Sequence, residues 1–204
     1  NEANNAPSAT PVIVTLNDNK HSEWRAGHYQ LSITKQGINV TAQDKAGAFY
    51  ALQSVASLVT LGSAELPLVE INDQPHYEYR GQHVDVARNF QSKEFIFSLI
   101  RQMSAYKMNK LHLHLAEDEG WRLELPSLPE LTDVGSKRCL DLSDKACLQP
   151  QLGGAGATER DGYYSTEDYK EILQLATKHH IQVIPSLDMP GHSRAAIKAM
   201  EARY

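Results

Sequence analysis

The sequence predicts an α/β protein in which a small α+β domain, residues 1–76, precedes a series of strand–helix units, residues 77–204. Two observations support this division. Apolar residues first alternate with period two around one helical stretch, and from Gly81 they change to a repeating strand, helix, strand, helix rhythm. A polar segment that contains proline, NDQPHYEYR at 72–80, separates the two patterns and marks the boundary.

The first domain is predicted to combine a sheet with one helix. Tyr29, Leu31 and Ile33 alternate with polar residues, and Gly37 supplies a turn before the next apolar positions. Helical spacing of apolar residues continues from about Ala46 to Leu61. Strands are therefore expected at 12–16, 29–33, 38–40 and 65–71, with the helix between the last two.

The second domain is predicted to repeat a βα unit three times. Strand-like segments occupy 82–87, 110–115 and 181–188, and a stretch with helical character follows each of them. Ser92 can cap the first helix, and Ser165 with Asp168 resembles a capping box for the second. Repeated βα units favour a parallel sheet or barrel with right-handed crossovers.

Polar and charged residues gather where these three strands end. Arg88 follows the first strand, Glu117 and Asp118 follow the second, and Asp188 and His192 follow the third. The carboxyl ends of parallel strands are where α/β proteins bind ligands and place catalytic groups. A packed core alone does not need charged side chains at those positions, so the three segments predict a functional site.

Composition narrows the class of partner. The chain has 204 residues, a formal net charge of −5 and 41% hydrophobic residues, which is ordinary for a globular protein. The net charge gives no support for a nucleic-acid partner, and no apolar run reaches membrane-spanning length, so neither partner is predicted. The sequence also lacks an initiator Met and a signal peptide, and we expect it to begin within a longer precursor.

The two cysteines of the chain predict a disulfide. Cys139 and Cys147 lie in a long connection rich in Asp, Lys, Ser and Gly. Loop closure is easy at this separation, and neither residue belongs to a periodic apolar segment that would bury a free thiol. Because disulfides persist in oxidising compartments, a periplasmic or secreted protein is expected. Two reduced thiols on a surface loop are the alternative.

Four segments together resemble the start of the catalytic domain of glycoside hydrolase family 20, in its bacterial chitobiase form. They are YRGQHVDVARNF, MNKLHLHLAEDEGWRLEL, GYYSTEDYKEIL and VIPSLDMPGH, and they occur in the family's order. GINVTAQDKAGAFYALQSV similarly resembles the small domain that precedes the barrel in that family. The resemblance implies a retaining β-N-acetylhexosaminidase that removes terminal β-linked N-acetylglucosamine from chitooligosaccharides, with the substrate's own acetamido oxygen as nucleophile.

The resemblance also implies a (β/α)8 TIM barrel, of which this chain holds the first three βα units. The family's catalytic Asp-Glu pair lies in a Gly-Gly-Asp-Glu motif on the fourth strand, and no such motif occurs in the 204 residues. A complete barrel takes about 250 residues. We therefore expect a truncated barrel, the N-terminal part of an enzyme, with no activity of its own. Its open sheet edges and apolar helix faces favour self-association of the chain.

Four residues match the site that the resemblance implies, and the chemistry of a fifth suits it. Arg88 matches the arginine that holds the sugar hydroxyls, and Glu117 and His192 match a supporting dyad that tunes the catalytic Glu. Asp188 matches an acid of the site wall, and Trp121 offers an aromatic face on which a sugar ring can stack. Structural alternatives are a surface ion pair for Arg88, a solvated acidic loop at 117–119, a helix N-terminus for His192 and a core position for Trp121.

Two positions depart from the family pattern. Glu117 stands where the family has Asp and is one methylene longer, so its carboxylate must retract to keep the geometry of the dyad. Ser186 stands where the family has a Glu that supports the sugar-binding arginine. Because a serine carries no charge, we expect Arg88 to lose that support.

Two other functions stay open. His112 and His114 form a His-x-His pair whose side chains project to one side of a strand, which is a metal-ligand spacing in amidohydrolase-type barrels. Polar residues that fill a barrel interior explain the pair more simply, and we predict neither a metal nor a cofactor. Alternatively, the departures at Ser186 and Glu117 favour a carbohydrate-binding protein that has lost catalysis.

Overall fold

The structure consists of two compact units, residues 1–78 and 79–204. It is a computed structural model that describes residues 10–17, 23–59, 65–140, 142–143, 145–150 and 161–203. The unit boundary lies two residues beyond the position expected from the sequence. Both units combine helices with a four-stranded sheet, so the chain is an α/β protein.

In the residues that the structure describes, the first unit is a mixed sheet with one helix. Its strands are β1 (Val12–Leu16), β2 (Tyr29–Thr34), β3 (Gly37–Ala42) and β4 (Val69–Asp73), and its helix is α1 (Lys45–Leu58). The strand order is β1-β3-β2-β4, with β1 parallel to β3 and the other pairs antiparallel. The alternating residues Tyr29, Leu31 and Ile33 are buried, because period-two alternation turns them all to the helix-covered face.

Helix α1 is shorter than the sequence periodicity predicts. Asp44 caps its start, where one carboxylate oxygen accepts a hydrogen bond of 2.7 Å from the backbone N–H of Gly47. The helix ends at Leu58, and Val59 already has the extended backbone angles φ −71° and ψ 116°. The predicted end at Leu61 is therefore wrong by three residues, and residues 60–64 lie outside the described part of the chain.

The second unit contains three parallel strands and the helices that connect them. Its strands are β5 (Gly81–Asp85), β6 (Lys110–Glu117), β7 (Gly120–Trp121) and β8 (Gln182–Leu187). Its helices are α2 (Lys93–Ala105), α3 (Glu130–Asp133), α4 (Thr166–Lys178) and α5 (Arg194–Glu201). Strand β6 is the central strand and pairs in parallel with β5 and β8. The carboxyl ends of all three strands therefore lie at the same edge of the sheet.

The two faces of β6 differ in chemistry. Leu111, Leu113 and Leu115 are fully buried against apolar residues of α2 and α4, including Ile96 and Ile172. The histidines between these leucines face the other side of the sheet. Both helices begin as the sequence predicts, with Ser92 as the N-cap of α2 and a complete capping box at the start of α4.

A short hairpin after β6 was not expected from the sequence. The chain turns back after Glu117, and β7 pairs antiparallel with the end of β6 through Glu117↔Gly120 and Ala116↔Trp121. Two residues are too few to produce a periodic apolar pattern, so nothing in the sequence signals this strand. The hairpin holds the last residue of β6 in a fixed, buried position.

The predicted disulfide is present. Cys139 and Cys147 are bonded, with their Cα atoms 5.7 Å apart. The segments on either side also pair, since the backbone N–H of Cys139 donates to the carbonyl oxygen of Leu148 at 3.0 Å. Among the residues that the structure describes, no helix has the length and apolar character needed to cross a bilayer.

Candidate active site

Glu117 forms the centre of the candidate site. It is the last residue of β6, and its side chain is 3% exposed. Its Oε1 accepts a hydrogen bond from Arg88 Nη2 at 2.6 Å, and its Oε2 lies 3.1 Å from His192 Nδ1. The backbone N–H of Asp118 also donates to Oε2, at 3.0 Å. One buried carboxylate thus joins the arginine after β5 to the histidine after β8, and the longer side chain of glutamate reaches both.

Arg88 is held by carboxylates on several sides. Its Nη1 donates to Asp85 Oδ2 at 2.5 Å, and its Nε lies 3.8 Å from Glu119 Oε2. Burial alone raises the pKa of Asp85, but hydrogen bonds from the Arg88 backbone and side chain outweigh burial and lower that pKa. The same side-chain hydrogen bond raises the pKa of Arg88 above its usual value. The arginine side chain is still 39% exposed, so it remains accessible to a ligand.

Ser186 does not support Arg88, and the expected loss of support is compensated nearby. The Ser186 hydroxyl lies 2.8 Å from His112 Nε2 and 2.8 Å from His114 Nδ1, so it joins the His-x-His pair. Burial and then the charges of His83 and His114 lower the pKa of His112. Asp85, Glu117 and Glu119 provide the negative charge beside Arg88 instead.

The segment after β8 carries the exposed half of the site. The His192 side chain is 61% exposed, and its backbone has a positive φ of 54°. Asp118 Oδ1 accepts a hydrogen bond of 3.0 Å from the backbone N–H of Arg194, the first residue of α5. The acidic pair at the end of β6 therefore divides its contacts, because Glu117 binds the imidazole and Asp118 anchors helix α5.

Asp188 and Trp121 are placed differently from one another. Asp188 is exposed, yet its carboxylate has an oxygen within 4.8 Å of ligand atoms of both His114 and Glu117. Trp121 is only 8% exposed, and its Nε1 donates to the carbonyl oxygen of Leu123 at 2.6 Å. It packs with Leu131, which agrees with the core position that the sequence left open. Stacking of Trp121 on a sugar ring stays a prediction.

Within the described part of the chain, two groups of side chains have the chemistry of metal ligands. One is His114, Glu117 and Asp188, and the other is Glu117, Asp118 and His192. Both need Glu117, whose two oxygens already bind a guanidinium group and an imidazole. The geometry therefore describes an ion-pair network, and the same side chains could bind a cation only by giving up those contacts.

Sequence reasoning missed four residues of this region. Asp85 and Glu119 belong to segments that it had already singled out, three residues before Arg88 and two after Glu117. Arg122 and Arg138 are buried and bind main-chain carbonyl groups. Nothing in the sequence signals their burial, because arginines are usually exposed.

Two family models match the chain. The model described as glycosyl hydrolase family 20, catalytic domain, matches residues 77–204, and the model described as glycosyl hydrolase family 20, domain 2, matches residues 1–74. The first of these covers the whole second unit, including every residue of the candidate site.

Curated relatives agree with these matches. The chain is 54% identical over 202 residues to a beta-hexosaminidase from Vibrio vulnificus, which covers 98% of the chain and 24% of the relative. It is 55% identical over 183 residues to an N,N'-diacetylchitobiase from Vibrio harveyi, covering 88% of the chain and 21% of the relative. The chain thus spans about a quarter of the length of such relatives.

Solved structures are similar over nearly the same region. A family 20 exo beta-N-acetylglucosaminidase from Vibrio harveyi in complex with N-acetylglucosamine superimposes with a TM-score of 0.83 and 32% identity, over 93% of this chain and 29% of that chain. A mutant Streptomyces plicatus beta-hexosaminidase in complex with its N-acetylglucosamine product gives a TM-score of 0.75 and 30% identity, over 91% and 35%.

Proposed function

This chain belongs to glycoside hydrolase family 20, and we propose that it is part of a retaining β-N-acetylhexosaminidase that releases terminal β-linked N-acetylglucosamine from chitooligosaccharides. The observation that carries the proposal is the contact of Glu117 with both Arg88 and His192 at the carboxyl ends of parallel strands. The chitobiase among its relatives supports the choice of substrate class.

Each residue of the network has a chemical role in this proposal. Arg88 presents several N–H donors in a planar fork, which suits two neighbouring hydroxyl groups of one sugar. Glu117 keeps the guanidinium in place and orients the imidazole of His192 through Nδ1. The other ring nitrogen of His192, Nε2, can then hydrogen-bond a catalytic carboxyl group, and this bond would adjust the pKa of that carboxyl group. Asp188 contributes an acid to the wall of the sugar site.

The general acid and the carboxylate that orients the acetamido group are proposed to lie in a further part of the enzyme. In substrate-assisted hydrolysis the acetamido oxygen attacks the anomeric carbon while the general acid protonates the leaving oxygen. Arg88, Glu117 and His192 perform neither step themselves. They hold the sugar and set the environment of the acid that does.

We propose that β5, β6 and β8 with their helices are the first three βα units of a (β/α)8 barrel and that the small domain ends near residue 76. Family 20 structures of about three times this length support the proposal by their TM-scores. The histidines on the inner face of β6 are then polar residues that fill a barrel interior.

The isolated chain should self-associate. In the described part of the second unit, β5 and β8 each pair on one side only. Met189 and Ile197 are 76% and 50% exposed and line an apolar groove. Sedimentation of the 204-residue chain should give dimers or larger species, and a stable monomer at high concentration would contradict this expectation.

We propose a periplasmic or secreted location, which the disulfide supports. Cys139 and Cys147 are bonded, and disulfides are typical of oxidising compartments and rare where thiols are kept reduced. Cell fractionation of the native producing organism, followed by immunodetection, should find the protein outside the reducing cytoplasm. Recovery of the protein in the cytoplasmic fraction with both thiols reduced would argue against it.

Activity is tested with a chromogenic glycoside. The full-length parent enzyme should release nitrophenol from 4-nitrophenyl N-acetyl-β-glucosaminide, while the 204-residue chain should not. The matched substrate 4-nitrophenyl β-glucoside lacks the acetamido nucleophile, so it should be turned over far more slowly. Turnover by the short chain at an ordinary enzyme rate would contradict the proposed location of the general acid.

A binding protein without catalysis is the second candidate, because Ser186 and Glu117 depart from the family pattern. It predicts that the full-length protein binds N-acetylglucosamine in calorimetry yet hydrolyses neither glycoside. Tightly bound zinc, measured by elemental analysis, would favour the metal-dependent alternative instead.

A further inference from the structure

Two buried arginines contact the main chain at Arg88 and just before it, and they take no part in the proposed sugar contacts. Arg122 follows Trp121 of β7 and is 0% exposed, and Arg138 precedes the disulfide and is 7% exposed. Burying a guanidinium group is unfavourable unless its donors are satisfied. What these donors bind therefore indicates what the two residues are for.

Arg122 binds the carbonyl oxygens of the two residues that directly follow β5. Its Nη2 donates to the carbonyl oxygen of Ala87 at 2.9 Å, and its Nε donates to those of Val86 and Ala87 at 3.1 and 3.3 Å. Its Nη1 donates to the carbonyl oxygens of Ser136 and Gly162 at 2.9 and 3.0 Å. One planar group thus ties the two residues before Arg88 to two separate loops.

Arg138 binds the next carbonyl along the chain. Its Nη2 donates to the carbonyl oxygen of Arg88 itself at 2.5 Å, and its Nε donates to that of Glu119 at 3.3 Å. The backbone N–H of Arg138 donates to Asp161 Oδ1 at 3.0 Å. Its neighbour Cys139 is bonded to Cys147, so the segment that carries Arg138 is braced by a covalent link.

The surroundings of Arg122 fit a charged, closely held group. Burial, and after it the charge of Arg138, lowers the pKa of Arg122 to about 10, so it stays protonated at neutral pH. Gly120 leaves the space for it, since a Cβ atom at that position would lie 2.5 Å from the guanidinium carbon. Phe90 covers the guanidinium with its ring at 5.7 Å.

We propose that Arg122 and Arg138 are positioning residues for Arg88, an inference that rests on the proposed function of this site. Together they hold the carbonyl oxygens of the three consecutive residues 86–88. Asp85 and Glu117 orient the guanidinium group of Arg88, and the buried arginines hold the main chain from which its side chain extends. A flexible side chain that is fixed at both ends loses less freedom when it binds a sugar.

The test uses variants of the full-length enzyme. Arg138→Met should raise both KM for the nitrophenyl glycoside and the inhibition constant of N-acetylglucosamine about tenfold, since a hydrogen bond from a charged group is lost. Arg138→Lys should not restore binding. An ammonium group lacks the planar fork of donors with which the guanidinium binds the carbonyl oxygens of Arg88 and Glu119. A merely structural role would lower the melting temperature and the active fraction and leave both constants unchanged.

A double-mutant cycle decides whether the effect passes through Arg88. In an Arg88→Lys background, Arg138→Met should change the binding of N-acetylglucosamine less than twofold, because the arginine being positioned is gone. Equal losses in both backgrounds would overturn the proposal. Arg122→Met is a harsher variant, and if it does not fold, the Arg138 variants alone decide between the two roles.

Arg80→Met is the matched control. Arg80 Nε donates to the carbonyl oxygen of Lys107 at 2.8 Å, but Arg80 precedes β5 and lies at the amino ends of the strands. Its loss should lower stability without changing KM or the inhibition constant.

Failure of the proposed function can be distinguished from failure of the positioning role. A wild-type enzyme that binds N-acetylglucosamine without hydrolysing the glycoside would contradict the proposed function. Calorimetric binding constants of the same variants would still decide the positioning role.

Discussion

Each of the two units of this chain contains a four-stranded sheet, but the units differ in how many ionisable side chains they bury. In the first unit the buried side chains are apolar, apart from His28 among the described residues. In the second unit five ionisable side chains are buried around the ends of β6 and β7: His114, Glu117, Glu119, Arg122 and Arg138. A buried charge lowers stability unless it is paired and hydrogen-bonded.

The difference shows that fold and site make separate demands on the sequence. The first unit needs only a mixed sheet and a helix that cover one another, so local apolar periodicity, of period two in the strands and helical in α1, is sufficient for it. The second unit places charges where parallel strands end, and each is held by a salt bridge or by main-chain carbonyls. The core of the first unit and the site of the second can therefore be altered separately by substitution.

The largest effect is expected at the sugar-binding arginine. Arg88→Met in the full-length enzyme should lower kcat/KM at least about a hundredfold, or roughly 3 kcal/mol, because two charged hydrogen bonds to substrate are lost. Arg101→Met, at an exposed position of α2, is the control and should change kcat/KM little. Steady-state kinetics with the nitrophenyl glycoside measures both, and similar values for the two variants would remove Arg88 from the site.

A core substitution in the first unit should have the opposite signature. Leu31 is 1% exposed, and Leu31→Ala should lower the free energy of unfolding by about 3 kcal/mol through the cavity that it leaves. The exposed neighbour Gln30→Ala is the control. Urea unfolding gives the stability, and kinetics of the folded fraction should show unchanged KM. A tenfold change in KM would mean that the first unit takes part in binding.

The disulfide should stabilise the second unit by a somewhat smaller amount. Its cysteines are eight residues apart, and closing so short a loop is worth about 2.5 kcal/mol in the chain-entropy account. The double variant Cys139→Ser and Cys147→Ser should therefore melt at a lower temperature, and the wild type with a reductant should match it. Two free thiols titrated in the unreduced, denatured wild type would contradict the bond.

The smallest effect concerns acid stability. Burial raises the pKa of Asp85, but hydrogen bonds from Arg88 outweigh burial, so this pKa is lower in the folded protein than its usual value. Its stabilising contribution is thus complete above the unfolded pKa of about 3.9 and is lost as pH falls through the lower folded value. Asp85→Asn should make unfolding less dependent on pH below about 4.

Arg88→Met is the matched variant for this pH dependence. It removes the partner of Asp85, so it should flatten the same acid limb in urea unfolding at several pH values. If Asp85→Asn leaves the acid limb as steep as in the wild type, the hydrogen bond between the two side chains does not contribute to stability.

Local patterns in the chain were enough to predict most elements. Alternation at Tyr29, Leu31 and Ile33, leucines on one face of β6, and the caps at Ser92 and Ser165 all act within a few residues. The spacing and the polar setting of the two cysteines favoured their bond over two reduced thiols, and the bond is present. Local signals failed where an element was very short, as at β7. They also extended the predicted helix α1 three residues beyond its end at Leu58.

The sequence by itself placed Arg88, Glu117 and His192 at neighbouring strand ends, because the carboxyl ends of parallel strands lie at one edge of the sheet. Only the tertiary structure decided how they pair. Glu117 meets Arg88 and His192 across 29 and 75 residues of sequence, and Arg122 is buried although arginine is usually exposed. Those contacts depend on the hairpin after β6 and on loops that meet in space, and no local periodicity encodes such distant pairings.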